Sequence, residues 1–194
     1  VTQPERWVQL TPDTVAGIHK SGGSILESDR SFCSWKARSV PALVRGNPQH
    51  SLMAETLQRE GITHMYVIGG DGSQKGAMQT FEAADAIGYE VSICGIPKTI
   101  DNDLALLDVT FGFHTAVQEA KIAIDRAYTE ACGNANTLGL VKLMGRHTGF
   151  IALFATLAAR HVDLCLIPEM EVDMERCLDY IVEVQRQKKR GVVV

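Results

Sequence analysis

Long apolar runs, an excess of basic charge, and cysteines or histidines spaced to work together are all scarce in this sequence. No apolar stretch approaches the roughly 18 residues that a membrane-crossing helix needs, and the start does not read as a secretory leader. A membrane role is therefore not expected. Lys and Arg number 19 against 23 Asp and Glu, a net charge of -4. A nucleic-acid binder needs a basic face to neutralise phosphates, so that class is set aside. The one basic run, Arg186, Lys188, Lys189 and Arg190, falls where a helix is expected to end. Cations are favoured there by the helix dipole. The five cysteines are odd in number and far apart, with no Cys-x-x-Cys pair, and the six histidines lack metal-ligand spacing. Reduced structural thiols and a cytoplasmic location are the expectation.

What remains is an ordinary globular composition, 45% hydrophobic and 22% charged over 194 residues, enough to bury a real core. Both ends read as cut: Val1 is not an initiator Met, and Gly191-Val192-Val193-Val194 reads as the opening of a buried strand. An internal fragment is expected.

Along the chain, Thr11-Pro12-Asp13-Thr14 predicts a capped helix running to about Lys20, and Ser24-Ile25-Leu26 a short strand. Helices are expected over 49–60, 76–87, 115–131, 149–160 and 174–189. Strands are expected over 64–68, 91–96, 137–144, 163–167 and at the C-terminal valines. Strand alternates with helix, and the strands are continuous apolar runs, the pattern of parallel strands buried on both faces. A three-layer, doubly wound, Rossmann-like α/β fold follows. Ligands bind such sheets beyond the carboxyl ends of the strands.

Two unusual segments fall there. Gly69-Gly70-Asp71-Gly72-Ser73 follows a strand and opens a helix. Glycines let successive N–H groups point at one anion, and the helix N-terminus adds partial positive charge. Asp71 would repel a bare phosphate, but makes sense as a Mg²⁺ ligand. A tight turn with a capping Asp or Ser is the plainer alternative, and a Gly-Gly-Asp-Gly loop also resembles those of NAD kinases and lipid kinases. The second segment is Pro97-Lys98-Thr99-Ile100-Asp101-Asn102-Asp103. Phosphoryl transfer to an alcohol needs a base, cations and rigid positioning. Asp101 is placed to take a proton, Asp103 to support a Mg²⁺-bound water, and Thr99 to hydrogen-bond acceptor or phosphate. Such clusters also form turns.

Together with Met144-Gly145-Arg146, Phe111 to Ala116, Gly149 to Ala152 and Pro168-Glu169, these segments resemble the phosphofructokinase family, most closely its plant-type and trypanosome-type ATP-dependent members. NAD kinases and lipid kinases lack the Thr-Ile-Asp-Asn-Asp segment. The resemblance implies two lobes with the active site in the cleft between them. Residues 1–112 would bind the phosphoryl donor, and 113–194 the sugar phosphate. It implies transfer to the 1-hydroxyl of fructose 6-phosphate, with Asp101 as general base and Thr99 and Arg146 assisting. Thr99, Ile100, Asp101, Met144, Gly145 and Arg146 would contact the sugar. Gly70, Asp71, Gly72, Ser73, Lys98 and Arg30 would meet the donor, and Asp71 with Asp103 would serve Mg²⁺. Around Arg30 the family's Gly-Thr-Ser-Arg-Gly reads Glu27-Ser28-Asp29-Arg30-Ser31. A homo-oligomer is implied too. The family's first glycine-rich strand would precede Val1, and further sugar contacts would follow Val194, so this chain alone is expected to be weakly active.

Two positions bear on the donor. Pyrophosphate enzymes tend to carry Asp where this chain has Gly72, and Gly leaves room for the α-phosphate of ATP. Lys98 points the other way. Steric exclusion is harder to evade than an added cation, so ATP is the expected co-substrate, with pyrophosphate as the alternative donor. A catalytically degenerate regulatory member is the alternative from another class.

Overall fold

The computed structural model describes residues 7–26 and 48–194. They divide into two compact units between Ile96 and Pro97.

In the first unit, helix α1 (Pro48–Arg59) leads into strand β1 (His64–Gly69), helix α2 (Asp71–Ala86) and strand β2 (Ser92–Pro97), with β1 and β2 hydrogen-bonded neighbours. Pro48 suits a first helical position because its missing N–H is not needed there. Beyond α1, Gly61 N–H bonds to Gln58 O at 3.2 Å and Ile62 N–H to Leu57 O at 2.9 Å, satisfying the last carbonyls. Ala54, Leu57, Ala84 and Val91 form the core, joined by Ile62, Met65 and Tyr89. The two alanines let the helix backbones approach closely. On the same helix pair, His50 Nδ1 lies 3.1 Å from Thr80 Oγ1.

Two expectations for the early chain fail. The helix expected to run to Lys20 is a set of turns and a short 3-10 turn over Ile18–Lys20. Gly17, at φ 76° in the left-handed region, interrupts it. Ser24 to Leu26 is a turn rather than a strand. Ser24 Oγ accepts from Leu26 N–H at 3.2 Å, the side chain competing with extended pairing.

In the second unit, helix α3 (Phe113–Gly133) is followed by strand β3 (Thr137–Leu140), helix α4 (Phe150–Ala159), helix α5 (Met174–Lys188) and strand β4 (Arg190–Val193). Strands β3 and β4 pair in parallel, from Thr137 opposite Arg190 to Leu140 opposite Val193. The strand expected over 163–167 is reduced to one parallel bridge, Leu164 with Val193. Its backbone still follows β4, with Val194 N–H on Leu164 O at 3.0 Å and Leu166 N–H on Val194 O at 2.8 Å. Strand β4 is therefore the interior strand. Val192 is wholly buried, and packs with Phe113, Ile124, Ile151 and Ala155 in one core. Burying one such side chain is worth about 1.5–3 kcal/mol. Phe113 meets Phe154 edge-on at 5.3 Å. Asp163 ties the edge: its carboxylate accepts from Val192 N–H at 2.9 Å and from Lys188 Nζ at 2.6 Å.

The chain is thus α/β with parallel pairing. Burial on both faces holds for β4 but not for β1 or β2, where Tyr66 and Ile68 stay exposed. Strand β4 has a neighbour on each edge and α3 and α5 against it. No helix among the described residues is long and apolar enough to cross a membrane.

Candidate functional site

In the first unit, the glycine segment is tighter than the sequence suggests. Helix α2 begins at Asp71, not Gly76, with Gly70 as its extended N-cap residue (φ -85°, ψ -164°). Gln74 N–H makes the first helical bond to Gly70 O at 3.1 Å. Asp71, Gly72 and Ser73 therefore lie in the first turn of α2, where backbone N–H groups lack intrahelical acceptors and favour an anion. Asp71 is half-exposed and pairs with Lys75 Nζ at 2.7 Å. Both side chains face solvent, so the pair is weak and exchangeable. The Gln74 amide donates to Gly69 O at 3.0 Å and to Ile96 O at 3.2 Å, joining the C-terminal ends of β1 and β2.

In the second unit, the chain leaving β2 is held by a small polar framework. Phe111 N–H donates to Pro97 O at 3.2 Å, beside a parallel bridge between Lys98 and Phe111. Thr110, buried, donates its hydroxyl to Thr99 O at 2.6 Å, and its N–H to Asn102 Oδ1 at 2.8 Å. Asn102 Nδ2 donates to Asp108 O at 3.2 Å. Asn102 sits at φ 54°, a conformation asparagine tolerates better than most residues. Thr99 Oγ1 accepts from Asp101 N–H at 3.2 Å. Thr148 Oγ1 then donates to Asp101 O at 2.8 Å, joining this segment to the Gly145–Gly149 turn.

Met144 and Arg146 are exposed, and Arg146 Nε donates to His147 Nε2 at 2.9 Å. Behind them, Glu169 Oε1 accepts from Gly149 N–H at 2.7 Å. That carboxylate serves the N-terminus of α4, which has no side-chain cap of its own. The Asp101 carboxyl is held above its ordinary range, first by burial and then by repulsion from Asp103. Arg146 and His147 pull it back down. A carboxylate so poised is a better proton acceptor than a free one, and a guanidinium lies within electrostatic reach.

Residues that the sequence marks far apart thus meet in the second unit: Thr99, Asp101 and Asp103 with the Gly145-Arg146 turn. Ile100 packs its side chain against the core, so it offers the site its main chain. Lys98 is exposed. Gly70, Asp71, Gly72 and Ser73 stand together in the first unit. Arg30 lies outside the described residues. Sequence reasoning passed over Thr110, His147 and Thr148. Thr148 lacks a local signal, because its partner is 47 positions away. Thr110 stands beside the Phe111-Gly112 motif, which is the one hint it carries.

For a divalent cation, the donors are hard carboxylate oxygens. Asp103 Oδ1 is buried without a hydrogen-bond partner, a state that an ion or its water relieves. Asp71 stands at the glycine turn. No group of three His, Cys, Asp or Glu side chains converges among the described residues. A small hard cation held at either carboxylate would take its other ligands from water and phosphate, as Mg²⁺ does.

Residues 2–194 match the family model described as phosphofructokinase. The chain is 42% identical over 190 residues to ATP-dependent 6-phosphofructokinase 4, chloroplastic, of Arabidopsis thaliana, a match covering 96% of this chain and 33% of that protein. It is 46% identical over 168 residues to ATP-dependent 6-phosphofructokinase 1 of the same plant, covering 87% and 32%. Among solved structures, Pichia pastoris phosphofructokinase in the T-state superposes with a TM-score of 0.74 at 24% identity, covering 95% of this chain and 20% of that one. That likeness concerns the fold. The chain spans about a third of the length of the curated relatives it matches.

Proposed function

This chain belongs to the phosphofructokinase family, and we propose that the whole protein is an ATP-dependent 6-phosphofructokinase. It transfers the γ-phosphoryl group of ATP to the 1-hydroxyl of fructose 6-phosphate. The observation that carries this reading is Asp101, a carboxyl with raised affinity for protons, tethered by Thr148 and facing the charge of Arg146. It accepts the hydroxyl proton as the sugar oxygen attacks phosphorus. Arg146 offsets charge on the transferring group. Thr99, the main chain of Ile100, Met144 and Gly145 orient the sugar phosphate. The amides of Gly70, Gly72 and Ser73 hold donor phosphates, with Lys98 and Arg30 adding positive charge. Asp71 and Asp103 would hold Mg²⁺, which when bound neutralises phosphate charge. Apart from Thr99, Ile100 and Asp101, residues up to Gly112 serve the donor, and those from Phe113 the sugar. The protein works as a homo-oligomer in the cytoplasm.

Gly72 and the names of the relatives favour ATP; Lys98 favours pyrophosphate. A coupled assay of the whole protein with fructose 6-phosphate, comparing ATP, pyrophosphate and no donor, decides between them. Turnover with ATP is expected. Turnover with pyrophosphate alone overturns the donor assignment, and none with either supports a regulatory role. Asp101→Asn should lower kcat by about 10²–10⁴ with sugar affinity largely kept. A mild loss removes Asp101 as the base.

A further inference from the structure

We infer that Gln74 is a positioning residue for the donor turn, and that Gly95 is glycine to make room for it. The inference rests on the phosphofructokinase reading, which gives Gln74 no role of its own. The Gln74 amide has two hydrogens, and both are used. One goes to Gly69 O at 3.0 Å and the other to Ile96 O at 3.2 Å. These carbonyls close β1 and β2. Gly69 leads straight into the phosphate-binding turn, and Ile96 runs through Pro97 and Lys98 towards Asp101. One side chain thus spans the exits of both strands that carry chemistry.

The other polar atom of the amide, Oε1, lies over Gly95. A Cβ added there would fall well inside the contact distance to Oε1, and the other close atoms also belong to the Gln74 amide. Gly95 is not among the positive-φ glycines, so its backbone does not demand glycine. The space does. Because the obstacle is the far end of a flexible side chain, Gly95→Ala should fold normally and expel the amide from its bridge. The helix backbone at Gln74, bonded to Gly70 O, stays where it is. The bridge is then lost without removing any residue of the site.

The test is a cycle of Gln74→Ala, Gly95→Ala and the double variant in the whole protein. Each single change should lower kcat/KM for ATP by about 10- to 100-fold, the scale of a small misplacement of bound reactant. KM for fructose 6-phosphate should stay unchanged. The double variant should match Gln74→Ala, because the bridge can be lost only once. A merely structural role would reduce the active fraction, lowering kcat while leaving both KM values alone. That outcome overturns the inference, as does a silent Gly95→Ala or a double variant worse by the full factor. Hydrogen exchange of the Gln74 side-chain amide in the free protein gives a readout independent of turnover. Both its hydrogens are bonded, and their exchange should quicken several-fold in Gly95→Ala. If the wild type lacks turnover but exchange responds, the functional reading fails and the bridge stands; if exchange is unmoved, the bridge fails.

Discussion

Replacing Thr110 by Val isolates the framework that holds the reacting segment. Valine keeps the shape of threonine and removes one hydroxyl. In the structure that hydroxyl donates to Thr99 O at 2.6 Å and stands 3.2 Å from Asn102 Oδ1. The shorter contact takes the proton. Thr110 N–H still bonds to Asn102 in the variant, since that bond is made by the backbone. The loss is therefore one hydrogen bond, with a partly buried carbonyl left unpaired. That costs about 1–3 kcal/mol, against about 0.5–1.5 kcal/mol if water reaches the carbonyl. With ten-fold per 1.4 kcal/mol, the Thr99–Asn102 conformation loses roughly one to two powers of ten against its competitors. In the whole protein, kcat with saturating ATP and fructose 6-phosphate should fall by up to that factor. Thr110→Ser, which keeps the hydroxyl, should retain most activity. Equal damage in both variants would refute the reasoning, because packing of the methyl rather than the hydrogen bond would then be responsible.

Two further outcomes are expected. Gly145 sits at φ 135°, where a Cβ would lie 2.6 Å from Thr148 O. Gly145→Ala should shift the turn that carries Arg146, raise KM for fructose 6-phosphate about ten-fold or more and leave KM for ATP alone; steady-state kinetics read both. His50 has a different consequence. Burial lowers its proton affinity, partly offset by a hydrogen bond with Gln79. Thr80 gives its own proton to Gly76 O at 2.9 Å, so it accepts from His50 Nδ1–H. Since the native pKa lies below the unfolded value, the stability it supports is complete above about pH 6.5. It falls as pH drops below that, by at most about 1.4 kcal/mol per unit. Urea midpoints measured from pH 8 to pH 5.5 should show this fall in the wild type and a weaker one in His50→Asn.

The long helices and the identity of the chemical groups were legible in the residues alone. Helices α1, α3, α4 and α5 fall close to their expected places because each carries an apolar face and a clear stop. The glycines around the start of α2 mark a tight strand-to-helix turn through backbone freedom, which is a local property. Local rules misjudged the early chain, where Gly17 and Ser24 redirect short segments that lack a packing partner. They also placed the start of α2 too late, because glycines read as loop although the helix N-terminus needs their amides.

Only tertiary structure could decide what surrounds Asp101. Its raised proton affinity comes from burial and from Asp103, and the opposing charges of Arg146 and His147 arrive from a turn more than forty positions away. Thr148 closes that distance with one hydrogen bond. The double use of the Gln74 amide is equally invisible in one dimension, since its second acceptor, Ile96 O, is 22 positions along. Residue types and their order name the chemistry because reactivity belongs to side chains. Proton affinity, tautomer and reach belong to the space around them, and that space exists only once the chain has folded.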